Sequence, residues 1–399
     1  MNDDRSHLWW NEITGPSAIV QSIAEALLRA QSVMLCVPDD LPWRRRMRDA
    51  VENALRKEND NLQVSYVDCQ TDCDSFILPY GDIDVPTFLI KRYGLSDSYN
   101  TYRHSSNTTI QDHIIGNNIL QDRVVWVKGM NRRQVKCWVD FCIKYNPCVV
   151  GRGLFVIESY EHVSLPIIPN VIRVDYTASY YDALLFNNMI ISFANMSVDW
   201  KQYIAMLSAQ LCGEDVELSV AFMNSENLSI MDPVRLIKSI SGTEEFQRRY
   251  EAKNLRDSHP FTLLRQEQYS VLQKKVWEAQ LRTIYPLVEM ERVAFIRANE
   301  NEVLHASCSE FVDYYGNKRH VRQFGEILKN PYDAEIGTLY GMNHMRRAED
   351  PYRYVLYIPV EENRKRLTLL HEIRNAIAHM TTCTVEQVAA FLNQYPYKW

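Results

Sequence analysis

The sequence predicts a multidomain protein, an α/β domain with a mostly parallel sheet followed by all-α segments. In the first 178 residues, short apolar runs of strand length alternate with amphipathic helical patterns. Such alternation is typical of a parallel sheet covered by helices on both faces. Beyond residue 180 nearly every apolar pattern has helical spacing. The length of 399 residues is sufficient for two or three domains.

The elements of the α/β domain follow from these patterns in chain order. Strands are predicted at 32–37, 62–67, 123–127, 154–158 and 171–174, and helices at 17–30, 43–57 and 132–145. Pro38 ends the first strand. The stretch 96–113 is polar and rich in Ser, Asn and Thr, which predicts a long loop.

The helical part divides at the polar stretch 254–260, which ends in a proline. We therefore expect domains at 1–178 (α/β), 179–258 (a helical connector) and 259–399 (a helical bundle). In the last of these, helices are predicted at 262–299, 331–345, 361–379 and 385–394, with a short extended piece at 353–358.

The formal charge of −6 is unevenly distributed. Residues 1–258 carry 26 Lys and Arg against 33 Asp and Glu, and residues 259–399 carry 18 against 17. We therefore do not expect the acidic N-terminal part to bind nucleic acid by bulk electrostatics. The C-terminal part could use a local basic patch.

The first ten residues, MNDDRSHLWW, lack the basic and apolar regions of a signal peptide, and no apolar run is long enough to span a bilayer. We expect a soluble, cytoplasmic protein without a membrane partner. The nine cysteines are interpreted as mostly buried thiols. Cys69 and Cys73 have acidic neighbours but no second ligand pair, so no metal site is predicted.

The order of strands and helices resembles the P-loop NTPases of the AAA and STAND type. In that family a glycine-rich loop after the first strand binds phosphates. Here the turn 37–44 has no glycine and no GK[S/T] sequence, and it carries Asp39 and Asp40. The strand 124–128, which is similar to a Walker-B strand, ends in Lys128 instead of an acidic magnesium ligand. The resemblance therefore implies a degenerate domain for sensing or partner binding, with no cofactor.

Four arginines follow this turn at positions 44, 45, 46 and 48. Such a run could bind an anion. The more common structure for a run of this kind is a solvated helix face, which is our expectation here.

The segment 359–379 contains the candidate catalytic residues. Its acidic start suits a helix N-terminus, and apolar residues recur every three or four positions, which predicts a buried stripe. The stripe consists of Leu367, Leu370, Ile373 and Ile377. Thr384 and Gln387 form a capping box for the next helix, so His379 is expected at a helix end, just before a tight connection.

This segment resembles the RxxxxH motif of the HEPN superfamily, with Asn375 directly after Arg374 and with His379 as the histidine. Segments 277–292 and 335–339 are similar to the first two helices of such domains, so the resemblance covers about residues 260–399. It implies a metal-independent endoribonuclease of phage defence or of a toxin-type stress response. Arg374, Asn375 and His379 would be catalytic, and Glu289, Arg292 and Glu335 are possible auxiliary residues.

The residue types suit this chemistry. RNA cleavage without a metal uses the ribose 2′-hydroxyl as nucleophile, so it needs a proton acceptor, a proton donor and a cation for the phosphorus centre. Histidine titrates near neutral pH, and arginine binds two phosphate oxygens at once. Asn375 could orient the phosphate or the imidazole.

A single copy of the motif is insufficient, because five residues on a helix turn through about 140° and point Arg374 and His379 in different directions. Either the helix end is distorted, or two copies share one site. The family resemblance implies the second, a homodimer through the HEPN domain that acts on RNA. A regulatory protein is a possible partner for the N-terminal domain.

Three alternatives stay open. The motif could be structural, with Arg374 paired to Glu289 or Glu335 and His379 as a helix cap. The HEPN-like fold could serve only for dimerisation or nucleotide binding in an interaction protein. Nucleotidyl transfer or nucleotide sensing by an ATPase is the third, and the missing phosphate loop disfavours it.

Overall fold

A computed structural model describes residues 2–96, 98–104, 109–145, 149, 151–160, 171–251, 255–313 and 315–399. Its contacts divide the chain into two units. Unit 1 comprises Met1–Phe186 and Tyr250–Arg256, and unit 2 comprises Asn187–Arg249 and Asp257–Trp399.

Unit 1 is built on a parallel sheet. Within the described residues its strands are β1 (Ser32–Cys36), β2 (Gln63–Asp68), β3 (Arg123–Lys128), β4 (Leu154–Ser159) and β5 (Val171–Asp175). The spatial order is β2-β3-β4-β1-β5, and every neighbouring pair is parallel. Strands β1 and β4 are buried along their whole length, as expected for strands with apolar runs covered on both faces. The predicted parallel α/β fold is confirmed.

Helices pack against this sheet. The helices that begin in unit 1 are α1 (Asn2–His7), α2 (Thr14–Leu28), α3 (Arg44–Glu58), α4 (Val85–Tyr93), α5 (Ser98–His104), α6 (Ile110–Gly116), α7 (Arg132–Tyr145) and α8 (Tyr180–Ile191). A π-helical turn (Leu8–Glu12) and a 3₁₀ turn (Asp74–Phe76) complete the set. Phe88 of α4, Trp138 of α7 and Phe155 of β4 belong to one buried core cluster of this unit.

The polar stretch 96–113 contains helices, so the predicted long loop is wrong. Helices α5 and α6 occupy it, and residues 97 and 105–108 lie outside the described part of the chain. The Thr109 hydroxyl caps α6 by accepting from the Asp112 backbone N–H, and Ile114 is fully buried in the core. A side-chain N-cap and apolar residues at helical spacing therefore stabilise a helix here in spite of the polar composition.

Unit 2 is mostly helical. Its helices are α9 (Val198–Cys212), α10 (Val216–Met223), α11 (Pro233–Ser241), α12 (Glu244–Tyr250), α13 (Pro260–Arg265), α14 (Tyr269–Ala298), α15 (Glu300–Ser307), α16 (Ile336–His344), α17 (Glu361–Ala378) and α18 (Val385–Leu392). Helix α14 packs extensively against both α9 and α17. Helices α9, α10 and α11, which fall in the stretch predicted as a connector, lie in the same unit as the C-terminal helices.

Two short hairpins interrupt the helices between α15 and α16. They pair β6 (Glu310–Val312) with β7 (Lys318–His320), and β8 (Arg322–Gln323) with β9 (Glu326–Ile327). Neither hairpin was expected, because the strands are only two or three residues long and mostly polar. The predicted extended piece at 353–358 contributes a single bridge, between Tyr354 and Arg346.

A buried ion pair joins three helices of unit 2. Arg366 of α17 donates two hydrogen bonds to the Glu291 carboxylate of α14, at 2.6 and 2.7 Å. The same guanidinium donates to the backbone carbonyls of Ala390 and Phe391 in α18. Both charged side chains are only 2% exposed. This pair fixes α17 against α14 and α18.

No helix in the described residues is both long enough and apolar enough to span a lipid bilayer.

Candidate functional site

Helix α17 presents the predicted motif, and its C-terminal end has a fixed geometry. His379 is the C-cap residue, and Met380 follows in the left-handed conformation with φ of 58°. The Met380 N–H donates to the Ile377 carbonyl, and the Thr381 N–H donates to the Ala376 carbonyl. These two bonds form a Schellman motif. The predicted capping box of Thr384 and Gln387 is confirmed, and it starts α18 directly after this end.

Arg374 and Asn375 belong to a hydrogen-bonded cluster. The Arg374 guanidinium lies 3.2 Å from a carboxylate oxygen of Glu335, and it contacts the Asn375 amide oxygen at 3.4 Å. The Asn375 amide nitrogen lies 2.9 Å from Nε2 of His371, one helical turn earlier. Because the amide nitrogen can only donate, this contact requires an unprotonated Nε2 on His371.

His371 was not predicted to be catalytic, but it lies at the centre of this cluster. Its ring stacks on the Tyr340 ring at 4.0 Å between centroids and 4° between planes, and the Tyr340 ring lies 4.2 Å from His344. Burial, followed by the nearby Arg374 charge, lowers the pKa of His371 below its usual 6.5. The spacing of His371 and Asn375 by four residues was the sequence signal for this contact.

His379 lies apart from this cluster. Its side chain is exposed and makes no hydrogen bond to any described residue. Helix α17 is regular up to Ala378, so the turn of about 140° between Arg374 and His379 is retained. The structure brings Arg374, Asn375 and Glu335 together and leaves the His379 imidazole free.

Glu289 and Arg292 form a structural clamp next to the cluster. Arg292 Nε donates to the Glu289 carboxylate at 2.8 Å, and its Nη1 donates to the carbonyls of Tyr332 and Ala334. The clamp holds the segment immediately before Glu335, so it positions Glu335 and does not itself contact Arg374.

In unit 1, the carboxyl edge of the sheet is filled by the chain's own charges. Glu158 of β4 is fully buried and accepts two hydrogen bonds from Arg48, at 2.8 and 3.0 Å, and one from the Trp126 indole at 2.8 Å. Arg44 donates to the carbonyls of Pro38 and Asp39 in the turn where a phosphate loop would lie.

The expected solvated arginine face is therefore only partly right. Arg45 and Arg46 are exposed, but Arg48 is 12% exposed and bound to Glu158. Ligands of open α/β sheets bind at this carboxyl edge. Lys128, at the end of β3, pairs with Asp68 of β2.

The cysteines of the described residues are free thiols, most of them buried, and Cys148 lies outside the described part. Sγ of Cys69 lies 3.7 Å from Sγ of Cys73. Burial raises the pKa of Cys212 and of Cys383 to about 12, which keeps both protonated. No group of His, Cys, Asp or Glu side chains within the described ranges is arranged to hold a metal ion.

The fold and the cluster define a two-unit protein, a parallel α/β unit joined to a helical unit that carries arginine, asparagine and histidine groups on one helix. No protein-family model matches the chain, and no curated protein matches it.

Among solved structures, the chain is similar to the Aeropyrum pernix ORC1 protein in complex with DNA, at 11% identity over 71% of this chain and 72% of that one, with a TM-score of 0.30. It is also similar to Drosophila ORC bound to DNA, at 10% identity, and to Drosophila ORC bound to AT-rich DNA and Cdc6, at 12%. Both Drosophila matches cover 98% of this chain and 66% of the other, with TM-scores of 0.29 and 0.28. Scores this low support no conclusion about function, so the α/β fold rests on the sheet described above.

Proposed function

We propose that unit 2 is a metal-independent endoribonuclease of the HEPN type. The observation that carries the proposal is the end of α17, where Arg374 and Asn375 lie one turn before a free, exposed imidazole on a fixed helix terminus. The resemblance of this segment to the RxxxxH motif indicates RNA cleavage as the reaction. The fixed backbone at His379 provides the pre-organisation that acid–base catalysis requires.

The reaction balances without a cofactor. The 2′-oxygen attacks the adjacent phosphorus while its proton passes to a base, and the bond to the 5′-oxygen breaks as that oxygen receives a proton. The products are a 2′,3′-cyclic phosphate and a 5′-hydroxyl. His379 serves in proton transfer, and Arg374 neutralises the charge that develops on the phosphate oxygens.

For this role Arg374 must exchange a carboxylate for a phosphate. Its side chain is 25% exposed and that of its partner Glu335 is 41% exposed, so both are open to solvent. Because an exposed ion pair contributes little stability, replacing the Glu335 carboxylate by a phosphate costs little free energy. Glu335 therefore acts as a placeholder that keeps Arg374 oriented until RNA binds.

The proposal includes a homodimer. Arg374 and His379 of one chain point in different directions, so a composite site needs the histidine of one copy and the arginine of a second copy.

The proposed sensing role of unit 1 rests on its filled carboxyl edge, where Glu158, Arg48 and Arg44 occupy the place of a nucleotide. We assign unit 1, as a degenerate P-loop domain, to binding a regulatory protein. Phage defence or a stress response is the setting that the HEPN resemblance implies.

The test is RNA cleavage in EDTA by the purified full chain. We expect wild type and His320→Ala, an exposed histidine on the β6–β7 hairpin, to yield 2′,3′-cyclic ends equally. His379→Ala should lose a factor of about 10²–10⁴ in rate. Equal cleavage by wild type and His379→Ala would remove the proposed site.

A second candidate is a non-catalytic dimerisation or nucleotide-binding module. The Arg374–Glu335 ion pair favours it, because a paired arginine is also what a purely structural residue would show. Under this alternative, neither wild type nor His379→Ala cleaves RNA.

A further inference from the structure

The β8–β9 hairpin of unit 2 presents an aromatic ring to solvent. Gln323 pairs with Glu326 across the two strands, so Phe324 and Gly325 form a two-residue turn between them. Phe324 is 85% exposed. Its φ of 53° lies in the left-handed region, and Gly325 follows with φ of 85°. Two positive φ angles in such a turn are the type I′ pattern, which strongly favours Asn-Gly, Asp-Gly or Gly-Gly.

A phenylalanine at the first position of this turn is unfavourable in two ways. A bulky side chain in the left-handed region strains the backbone, and an apolar ring in water lacks the free energy of burial. Asparagine or glycine would avoid both costs. Because strained residues of this kind cluster at ligand-binding and catalytic sites, we expect the exposed ring of Phe324 to contact a ligand.

The hairpin that carries the ring is firmly anchored. Val321, just before β8, and Leu328, just after β9, are both buried in one core cluster of unit 2. The Gln323 amide nitrogen donates to the Asp333 carbonyl at 2.8 Å, and its amide oxygen accepts from the Thr338 hydroxyl at 2.7 Å. The ring is therefore held on a rigid support, which lowers the entropy that binding must remove.

The Gln323 side chain also connects the tip of the hairpin to the candidate site. Its amide oxygen accepts from the Glu335 backbone N–H at 2.9 Å, and the Glu335 carboxylate pairs with Arg374 at 3.2 Å. The bond lengths of this side chain limit the distance between Cα of Phe324 and Cα of Glu335 to about 13 Å. A single strand of a few nucleotides is long enough to contact both Phe324 and Arg374.

The charge around the hairpin suits a polyanion. Residues 318–329 contain one acidic residue, Glu326, and four basic residues, at positions 318, 319, 322 and 329, and all five are exposed. Because Asp313 pairs with Arg319, three further cations accompany the one carboxylate of this segment. Such an excess attracts nucleic acid without base specificity. Aromatic rings beside cations are the arrangement by which proteins bind unpaired bases.

We propose that Phe324 stacks on an unpaired base of the single-stranded RNA that Arg374 contacts, while Arg322 binds a flanking phosphate. The inference rests on the proposed function and assigns it a substrate subsite. Stacking requires a base outside a duplex and accepts any base, so this subsite selects single-stranded segments without reading their sequence.

The test is fluorescence anisotropy with a short labelled single-stranded RNA and the full chain carrying His379→Ala, in EDTA. Phe324→Asn in that background should weaken binding by a factor of about 5–150, the range for the loss of one base–aromatic stack. Because asparagine is preferred in a type I′ turn, this variant should unfold thermally at or above the midpoint of the parent. Phe324→Tyr keeps a ring and should bind within about twofold of the parent.

Tyr80→Asn is the matched control. Tyr80 is an 82% exposed aromatic residue of unit 1 that also precedes a glycine, and its replacement should leave binding as in the parent. Arg322→Gln should reduce the slope of log Kd against log salt by about 0.7, the value for one phosphate contact on a single strand. A duplex of the same sequence should compete at least about tenfold less well than the unlabelled single strand.

Unchanged affinity in Phe324→Asn overturns the inference, as does equal competition by the duplex or a parent chain that does not bind RNA. Vesicles that contain anionic lipid test a membrane surface as the occupant. Binding to vesicles that depends on Phe324, together with RNA binding that does not, would also overturn it.

Cleavage by the otherwise wild-type chain separates the two proposals. Phe324-dependent binding without cleavage by wild type supports the subsite and refutes the endoribonuclease. His379-dependent cleavage with Phe324-independent binding refutes the subsite alone. If both proposals hold, Phe324→Asn raises KM and leaves kcat nearly unchanged, because the stack is made equally in the ground state and the transition state.

Discussion

The buried pair of Arg366 and Glu291 gives the sharpest test of how unit 2 is held together. We consider Glu291→Leu, Arg366→Met and the double substitution. Each single change leaves one charge buried without its partner, because both side chains are almost fully excluded from solvent. The double change removes both charges and leaves apolar side chains of similar size.

The magnitudes follow from the contacts. Breaking a buried ion pair by removing one partner costs about 3–5 kcal/mol, which we expect for each single variant. The double variant keeps no buried charge, but the carbonyls of Ala390 and Phe391 lose their donor. We expect it to cost about 1–3 kcal/mol. The coupling energy between the two sites is therefore at least ~3 kcal/mol.

Hydrogen exchange measured by mass spectrometry on peptides from α17 reports this loss locally, without assuming that both units unfold together. Since 1.4 kcal/mol is a factor of ten, a loss of about 3–5 kcal/mol means that protection in the single variants should fall roughly 10²- to 4 × 10³-fold. Glu361→Gln removes an exposed ion pair on the same helix and should leave protection unchanged. Additive losses in the double variant, or a single-variant loss below ~1 kcal/mol, would refute the argument.

Three further predictions concern other contacts. Thr384→Ala should cost about 1 kcal/mol through the lost capping box, seen as faster exchange in α18, whereas an unchanged rate would contradict the cap. Glu158→Leu should destabilise unit 1 by about 3 kcal/mol because Arg48 stays buried and unpaired, measured by limited proteolysis in urea, and resistance equal to wild type would count against it. The lowered pKa of His371 means that the unfolded chain binds its proton more readily. Unit 2 should thus lose stability as pH falls below about 6.5, and an NMR titration midpoint at or above that value would be inconsistent.

The architecture could be predicted because it depends on periodicity. The five strands of unit 1 and helices such as α14 and α17 show their apolar spacing directly in the sequence. The buried stripe of α17 and the capping box after it involve residues close in sequence, so both were accessible. The end of α17 at the C-cap residue His379 was predicted for the same reason.

Partners distant in sequence explain part of what the sequence did not show. Arg48 looked solvated because its partner Glu158 is 110 residues away. The stacking of Tyr340 on His371 joins two helices, so no local sequence pattern predicts it. The β6–β7 hairpin has strands too short to show alternation. Arg374 was left with Glu289 or Glu335 as possible ion-pair partners, and only the folded chain brings it to Glu335.

The Schellman end of α17 has a consequence for the entropy of binding at His379. Ordering one residue's backbone costs about 1–2 kcal/mol of conformational free energy. At this helix end the hydrogen bonds of Met380 and Thr381 already order the backbone during folding, so ligand binding does not have to order it. The exposed imidazole keeps freedom only about its two side-chain torsions. A ligand that engages it therefore orders two bonds instead of a loop, so the loss of freedom on binding is small even though the group faces open solvent.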